Sequence, residues 1–204
     1  MSHSPLITKL VKSLQALPGV GPKSAQRMAY ELLQRKRAEG IDLSDILKQT
    51  MEQVGNCKLC RNLSELDTCN ICNDPKRSNN TLCIVETPAD VIAIEQTSSY
   101  FGFYFVLMGH LSPLDGIGPN DIGIPQLITR VAELECKEII LATNSTPEGE
   151  ATAFYIKEQM TPLGVLCSRI AHGIPVGGEL EYLDSTTVSK ALFARTNIAA
   201  DEKT

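Results

Sequence analysis

Aromatic residues and long apolar segments are scarce in this chain of 204 residues. There is no Trp, and aromatic residues make up 5% of the sequence. No apolar run approaches the roughly 18 residues of a membrane span, so we expect no membrane segment. Apolar residues still amount to 43% and charged residues to 21%, which is typical of a soluble globular protein and excludes a disordered one. This length allows one good core and one or two small satellite domains.

A secretion signal is also missing from the beginning of the sequence. The first residues, MSHSPLI, lack the charged and then apolar layout of such a segment. We therefore expect a cytoplasmic protein, in which the seven cysteines stay reduced. Reduced cysteines favour a metal site over disulfides where several of them lie close together.

Positive charge is scarce in the C-terminal two thirds of the chain. The overall net charge is −5. Residues 1–80 carry 12 Lys and Arg against 8 Asp and Glu, whereas residues 81–204 carry 7 against 16. An acidic protein of this kind is not a tight, nonspecific DNA coat. Any contact with nucleic acid is expected in the N-terminal third, weak in each subunit and sensitive to salt.

Two nucleotide-binding motifs are incomplete in residues 17–23, LPGVGPK. A P-loop needs a glycine directly before its Lys-Ser pair, and Pro22 occupies that position. A dinucleotide-binding motif needs a preceding strand and a third glycine, and Ser24 stands where that glycine would be. Both nucleotide-binding interpretations are therefore excluded.

The same segment fits the turn of a helix-hairpin-helix. Gly19 and Gly21 allow the backbone to approach a phosphate and to adopt positive φ where needed. The free N–H groups of the helix that begins at Pro22 point at the same place. Lys23 and Arg27 lie one turn apart on that helix, so we predict sequence-independent binding to the DNA backbone. The alternative is a helix–helix corner with packing glycines and solvated cations. Weaker candidates for DNA contact are Lys9, Lys12, Arg35 and Arg37.

Four cysteines form two CxxC pairs separated by eight residues. The predicted metal ligands are Cys57, Cys60, Cys69 and Cys72. Four thiolates complete the tetrahedral coordination of one Zn²⁺ and leave no position for a reactive water, so the site is expected to be structural. A module of this size has too little apolar content to fold alone, so metal binding should supply its folding free energy. Four unliganded cysteines remain the alternative.

The periodicity of apolar residues changes at Thr81. Before the cysteines it predicts helices at residues 5–17 and 22–37, and a third from Asp42 or Ser44 to Val54. Apolar residues of the third helix expected to face inward are Ile46, Leu47 and Met51. After Thr81, strands alternate with helices, which predicts a mostly parallel sheet covered on both faces. The strands are expected at residues 82–86, 103–108, 138–142 and 165–170, and the helices at residues 88–97, 125–134, 148–160 and 185–195.

Four segments in this order resemble the recombination protein RecR family. They are residues 84–90 (IVETPAD), 109–119 (GHLSPLDGIGP), 142–152 (ATNSTPEGEAT) and 173–184 (GIPVGGELEYLD). The resemblance covers the whole chain. It implies a multidomain α/β protein with a helix-hairpin-helix at residues 1–56 and a four-cysteine zinc finger with its connection at residues 57–80. A Toprim domain at residues 81–175 and a C-terminal oligomerisation segment at residues 176–204, with a strand and a helix, complete it.

The resemblance also implies a function. The expected protein is a DNA-binding adaptor in recombinational DNA repair, which acts with RecO and RecF to help RecA load at single-strand gaps. Members of the family form dimers and tetrameric rings able to encircle DNA, which implies a homodimer or homotetramer. Such a ring agrees with the small number of cations, because subunits joined in a ring add their weak contacts together. A DNA clamp of this kind would be associated with the nucleoid.

Toprim enzymes hold Mg²⁺ with a Glu at a strand end and an Asp-x-Asp pair. Glu86 matches the Glu, but the neutral residues 144–146 (NST) occupy the place of the pair. We therefore expect no Mg²⁺ and no enzymatic activity, and a Toprim domain that serves partner docking. The acids expected to bind basic partner surfaces are Glu86, Asp90, Glu148 and Glu150. The alternative is a Mg²⁺-dependent nuclease, topoisomerase or primase with a weak site built from Glu86, Asp90 and Glu148.

Two further features carry no catalytic prediction. His110 stands alone, without a cysteine, serine or carboxylate motif at catalytic spacing, and we interpret it as a hydrogen-bonded loop residue. Residues 180–184 (LEYLD) look like a Walker B strand, but without a P-loop there is no nucleotide for them to serve. We expect a strand and loop there that lead to a subunit contact.

Overall fold

A computed structural model describes residues 4–171 and 173–195 of the chain. These residues fall into two compact units, which divide between Val54 and Gly55. The first unit is helical, and the second holds the four cysteines and a parallel four-stranded sheet with helices. The predicted fold class is confirmed. None of the helices in these described segments is long and apolar enough to cross a membrane.

Three helices form the first unit. They are α1 (Pro5–Leu14), α2 (Pro22–Gln34) and α3 (Arg37–Gln53). A proline opens each of the first two helices, where its missing N–H and fixed φ cost nothing. The predicted start of the third helix at Asp42 or Ser44 was wrong, because α3 continues N-terminally through Gly40. A Cβ at Gly40 would lie 3.6 Å from Leu32 Cδ2, so the glycine lies close to α2.

The apolar residues of α3 are exposed, contrary to prediction. Ile46, Leu47 and Met51 are 60%, 56% and 70% exposed. The fully buried residues described in this unit are Ala25 and Ala29 of α2. Their small side chains allow neighbouring backbone to approach, but they give this unit little apolar core. The helical period of α3 was therefore predicted correctly, whereas the burial of its apolar face was not.

The second unit begins with a short hairpin and continues as alternating strands and helices. Its first half contains β1 (Gly55–Asn56), β2 (Leu63–Ser64), β3 (Thr81–Val85), α4 (Pro88–Gln96) and β4 (Phe103–Val106). Its second half contains α5 (Ile124–Leu134), β5 (Glu138–Ala142), α6 (Pro147–Met160), β6 (Leu166–Arg169) and α7 (Ser185–Phe193).

The main sheet has the strand order β4-β3-β5-β6, and all its pairs are parallel. In this register Val85 at the end of β3 lies between Val106 of β4 and Ala142 of β5. After β3 the chain forms β4 on one side of this strand and later forms β5 on its other side. Such a reversal leaves a crevice at the carboxyl ends of the strands. Glu86 and Asn144, which follow β3 and β5, lie at that crevice.

Residues of β3 point alternately to two apolar clusters. Leu82 and Ile84 belong to the larger cluster, which includes the buried faces of α5 and α6. Cys83 and Val85 belong to the smaller cluster, with Val91 of α4. A strand buried on both faces reads as a continuous apolar run, and TLCIV is such a run.

The tail differs from the expectation in one element. Leu180–Tyr182 forms a single 3-10 turn instead of a strand. It leads to α7, whose N-cap Asp184 accepts hydrogen bonds from the N–H and hydroxyl groups of Thr187. The part of the predicted C-terminal segment from residue 196 to residue 204 lies outside the described residues.

Candidate zinc centre and nucleic-acid interface

The four predicted metal ligands lie together. The sulfur atoms of Cys57, Cys60, Cys69 and Cys72 are all within 4.8 Å of one another. Within this cluster, Cys60 Sγ and Cys69 Sγ are 3.5 Å apart. Tetrahedral Zn²⁺ with bonds of about 2.3 Å places its sulfur ligands about 3.8 Å apart, so the cluster fits this ion. Its four thiolates hold one structural Zn²⁺.

Without a cation these thiols cannot all ionise. A hydrogen bond with Cys72 and burial raise the pKa of Cys60, and burial raises the pKa of Cys69 to about 11. Burial opposes ionisation of Cys57 as well, but backbone N–H groups, among them that of Cys69 at 3.3 Å, lower its pKa to about 7. Zn²⁺ therefore binds by displacing protons from this cluster.

The zinc finger is hydrogen-bonded to β4, an edge strand of the sheet. The N–H of Val106, the last residue of β4, donates a hydrogen bond of 2.8 Å to the carbonyl oxygen of Cys60. Ile71, between the second pair of cysteines, packs against both the cysteine cluster and the smaller apolar cluster of the sheet. The finger thus covers part of a sheet face and uses a backbone group of an edge strand.

Arg61 makes a second connection between the finger and the α/β fold. It follows Cys60 with φ of 64°, and its guanidinium donates to the carbonyl oxygen of Ile122 and lies 5.7 Å from the Phe105 ring centroid. Gly123, the N-cap of α5, has φ of 77°, and a Cβ there would overlap the Arg61 guanidinium. Both the conformation and the close approach require glycine at this position.

We expect Gly123→Ala to destabilise the second unit by about 2 kcal/mol, through left-handed strain and displacement of Arg61. Gly116→Ala is a matched control, because Gly116 has φ of 72° but open space around its Cα. The control is expected to lose only about 1 kcal/mol. Urea unfolding of both variants measures the difference. Equal losses would show that the contact with Arg61 contributes nothing.

The glycine turn of the first unit is open to solvent. Gly19 has φ of 77°, whereas Gly21 is extended and forms the N-cap of α2. A Cβ at either glycine would meet nothing within 4 Å, so a ligand can approach this backbone closely. Gly21 provides no side-chain cap, and the N–H groups of the first turn of α2 have no intrahelical acceptor. Of the two glycines, only Gly19 needs its conformational freedom.

Lys23 and Arg27 are exposed on α2, on the same side as a polar groove of about 450 Å³ that they help to line. Within the described residues neither side chain takes part in an ion pair. The weaker candidates differ from them: Arg35 lies 3.8 Å from Glu31, and Arg37 donates to the carbonyl oxygen of Leu33. Lys9 and Lys12 are exposed on α1. The role of these residues in DNA binding stays a prediction.

Glu86 is the one buried residue among the four predicted docking acids. It is 3% exposed, and its two oxygens accept hydrogen bonds of 2.8 Å from the backbone N–H and the side-chain amide of Asn144. Its Oε2 also lies 3.3 Å from His110 Nδ1. A Cβ at Gly149 would lie 2.8 Å from Glu86 Oε1. Glu86 therefore joins the loops that follow β3 and β5.

The other three acids occupy different environments. Asp90 forms a capping box with Thr87 at the start of α4. Glu150 lies 3.2 Å from Arg169 and 3.4 Å from Lys190. Glu148 is exposed in the first turn of α6, and its carboxylate makes no hydrogen bond or ion pair within residues 4–171 and 173–195.

The structure does not gather these acids into a metal site. Among the described residues, the four cysteines are the only group of three or more His, Cys, Asp or Glu side chains whose ligand atoms lie within 4.8 Å of one another. Glu86, Asp90 and Glu148 form no such group. Each oxygen of Glu86 accepts one hydrogen bond from Asn144 instead of facing a second carboxylate.

Sequence reasoning missed three residues that shape these sites. Arg61 directly follows a zinc ligand, but nothing in the sequence indicates its contact with Ile122. Asn144 was interpreted as a missing aspartate, although its amide and backbone bind Glu86. Arg169 donates hydrogen bonds to the hydroxyl of Thr143 at 3.0 Å and to the carbonyl oxygen of Asn144 at 3.3 Å. Its position at the end of β6 could have indicated that it lies near the carboxyl ends of the other strands.

Four family models match the chain in the order that the structure shows. A RecR helix-hairpin-helix model matches residues 7–51, and a RecR four-cysteine zinc finger domain model matches residues 54–74. A Toprim domain model matches residues 80–171, and a RecR C-terminal model matches residues 173–196. The chain belongs to the RecR family. This membership supports a role in recombinational repair and DNA binding, and it agrees with one structural Zn²⁺ in the finger.

Proposed function

We propose that this RecR family member is a DNA-binding clamp and adaptor without enzymatic activity, which acts with RecO and RecF to help RecA load at single-strand gaps. One observation carries the DNA-binding part: an open glycine turn precedes the uncapped α2 N-terminus, and Lys23 and Arg27 are exposed on the same helix. N–H groups at a helix N-terminus together with two cations bind backbone phosphates. This arrangement carries no base-specific information.

The proposed domain boundaries are those expected from the sequence. They are 1–56 for the helix-hairpin-helix, 57–80 for the zinc finger and its connection, 81–175 for the Toprim domain and 176–204 for the C-terminal segment. The division between Val54 and Gly55 and the ranges of the family models support them to within a few residues. A cytoplasmic, nucleoid-associated location belongs to the same proposal.

A homodimer or homotetrameric ring is the proposed assembly. The exposed apolar residues of α3 support it, because Ile46, Leu47 and Met51 would be unfavourably hydrated in a monomer. A second copy of the chain that covers this face would bury them. A ring also explains how an acidic protein holds DNA with few cations, since the contacts of all subunits act together.

The Toprim domain is proposed to dock partner proteins. The hydrogen bonds at Glu86 support a positioning role for this acid, and the neutral residues 144–146 offer no second carboxylate to a cation. Among the four proposed docking acids, Glu148 combines exposure with an unused carboxylate. Asp90 contributes negative potential, Glu150 is paired with Arg169 and Lys190, and Glu86 joins the loops that follow β3 and β5.

Retention on gapped circular DNA tests the proposed clamp. The zinc-loaded protein should remain on circular DNA longer than on linear DNA of the same sequence, and added Mg²⁺ should cause no cleavage or joining. Free ends allow a ring to slide off, whereas a simple phosphate contact does not distinguish the two substrates. Cleavage that depends on Mg²⁺ and disappears in Glu86→Ala would establish the alternative, a Toprim enzyme.

We expect Glu148→Lys to weaken RecO binding by about tenfold or more, because it places a cation where a basic partner surface would contact a carboxylate. Glu158→Lys is the matched control, since Glu158 is also exposed on α6 and the change in net charge is the same. Titration of labelled RecO with each variant measures the effect. Equal weakening by both would leave only a general charge effect and no docking residue at position 148.

A further inference from the structure

A small cationic cavity lies in the second unit, between the first cysteine pair and α5. Its volume is about 240 Å³. Lys58 and Arg61 line it from the finger, and Gln126, Thr129, Arg130 and Glu133 line it from α5. Phe105 of β4 also lines it. Three cations and a single acid therefore line one cavity.

Arg130 is mostly buried, and one of its nitrogen atoms lacks a hydrogen-bond partner. Its side chain is 11% exposed, and its NH1 atom lies 3.8 Å from the mostly exposed carboxylate of Glu133. Within the described part of the chain, its Nε is the one buried side-chain nitrogen or oxygen for which no hydrogen-bond partner is present. The guanidinium also lies 5.8 Å from the centroid of the Phe103 ring, and together with Glu133 this contact compensates the charge only in part, so the group retains an attraction for an anion.

Arg61 has spare hydrogen-bonding capacity as well. One of its nitrogens donates to the carbonyl oxygen of Ile122, and the guanidinium lies over the ring of Phe105. The Ile122 carbonyl oxygen and the Phe105 ring are its contacts, and no carboxylate pairs with the Arg61 guanidinium among the described residues. A neutral carbonyl oxygen satisfies one of five donors and does not balance the charge.

Lys58 lies at the rim of the cavity. Its side chain is 69% exposed, and its ammonium group lies 2.5 Å from the carboxylate of Asp67. Of the three cations, it is therefore the one whose positive charge is best neutralised. An ammonium on a flexible stem can turn from this exposed pair toward a ligand at little cost. Gln126 and Thr129 add an amide and a hydroxyl group that can bind further ligand oxygens.

We propose that this cavity binds a phosphate oxyanion, which is held by the guanidinium groups of Arg61 and Arg130 and by Lys58. The planar forks of two arginines match the tetrahedral oxygens of phosphate, and phosphate would supply acceptors to two guanidinium groups that have few of them among the described residues. The volume suits one phosphate group and no large organic ligand. Binding would join the zinc finger to α5 and stabilise the second unit.

Thermal unfolding with inorganic phosphate tests the proposal. In the zinc-loaded protein at constant ionic strength, phosphate at ten times its dissociation constant should raise the Tm by about 3 °C over chloride. Arg130→Gln should abolish the shift. Arg195→Gln, which removes an exposed arginine at the end of α7, should retain it. An equal effect of chloride and phosphate on the wild-type protein would overturn the proposal.

A second variant and direct binding separate loss of the site from misfolding. Zinc content and Tm without phosphate show whether Arg130→Gln is folded. Lys58→Gln changes an exposed residue and should lower phosphate affinity severalfold, as measured by calorimetry, while the zinc content stays the same. Full phosphate affinity in folded Arg130→Gln would also contradict the proposed site.

DNA and free phosphate esters carry the same chemistry, and DNA binding distinguishes them. If the DNA backbone supplies the phosphate, Arg130→Gln should weaken DNA association severalfold, and inorganic phosphate should compete with DNA at constant ionic strength. If a free phosphate ester is the ligand, DNA affinity should be unchanged in this variant while the phosphate-dependent Tm shift is lost.

Discussion

Replacement of Cys57 or Cys72 by Ala is expected to lower the solubility and stability of the second unit strongly and to remove no chemical step. The remaining three thiolates cannot complete a tetrahedral site. The finger has two strands of two residues each, and its apolar cluster consists of the cysteines with Leu59 and Ile71. Structural zinc contributes roughly 10–16 kcal/mol to the folding free energy of such modules at pH 7. The loss of zinc should therefore destabilise the finger more than the loss of any other single contact.

Zinc content, Tm and the soluble fraction measure this effect. Cys167→Ala is the matched control, since it removes a partly buried thiol outside the quartet and should keep one zinc per chain. We expect the quartet variants to expose the edge of β4, because the hydrogen bond from Val106 to Cys60 is lost with the finger. A metal-free variant with full stability would refute the structural role.

The same site predicts a dependence of zinc affinity on pH. The raised pKa values of Cys60 and Cys69 mean that both thiols are protonated at pH 7 in the metal-free protein. Zinc must displace these protons, so apparent affinity should rise between pH 6 and pH 8, and loading at pH 7 should release protons. Titration in weakly buffered solution measures the release. Affinity that does not change with pH would show that the thiolates are already formed.

The sequence was most informative where a local pattern determines the structure. Two CxxC pairs bring four sulfurs together whatever surrounds them. Continuous apolar runs such as TLCIV also predicted the sheet, because a strand buried on both faces has to be apolar throughout. The start of α3 was misplaced, since Gly40 in a helix is unfavourable by itself and is tolerated here in close approach to Leu32.

Contacts between distant residues were beyond sequence reasoning. Glu86 was selected as an acid that would meet a partner or a cation, but its burial depends on Asn144, 58 positions away. The connection of Arg61 to Ile122 spans 61 positions. The exposed face of α3 has the pattern of a buried helix, because amphipathic periodicity shows that a face needs a partner and does not show which chain provides it.

The double change Lys23→Glu with Arg27→Glu is expected to weaken DNA association by an order of magnitude or more in each subunit, while the fold and zinc content stay intact. Both residues are exposed and make no ion pair among the described residues, so the substitutions disturb no packing. Each lost phosphate contact lowers the slope of log K against log salt by about 0.9 for duplex DNA and about 0.7 for single strands. The loss of two contacts should therefore reduce the slope by about 1.8 or about 1.4.

Salt titrations of the DNA affinity of the wild-type protein and the variants measure this slope. Lys76→Glu with Lys137→Glu is the matched control, because it changes the net charge equally at two exposed lysines outside the proposed DNA interface. A general charge effect would lower affinity equally in both double variants, whereas a phosphate contact at α2 affects only the first. Unchanged DNA retention in the first variant, or crosslinks that map DNA to the acidic α/β unit, would place the interface elsewhere. The selective loss would instead assign DNA binding to the N-terminus of α2, where free N–H groups, an open glycine turn and two exposed cations coincide.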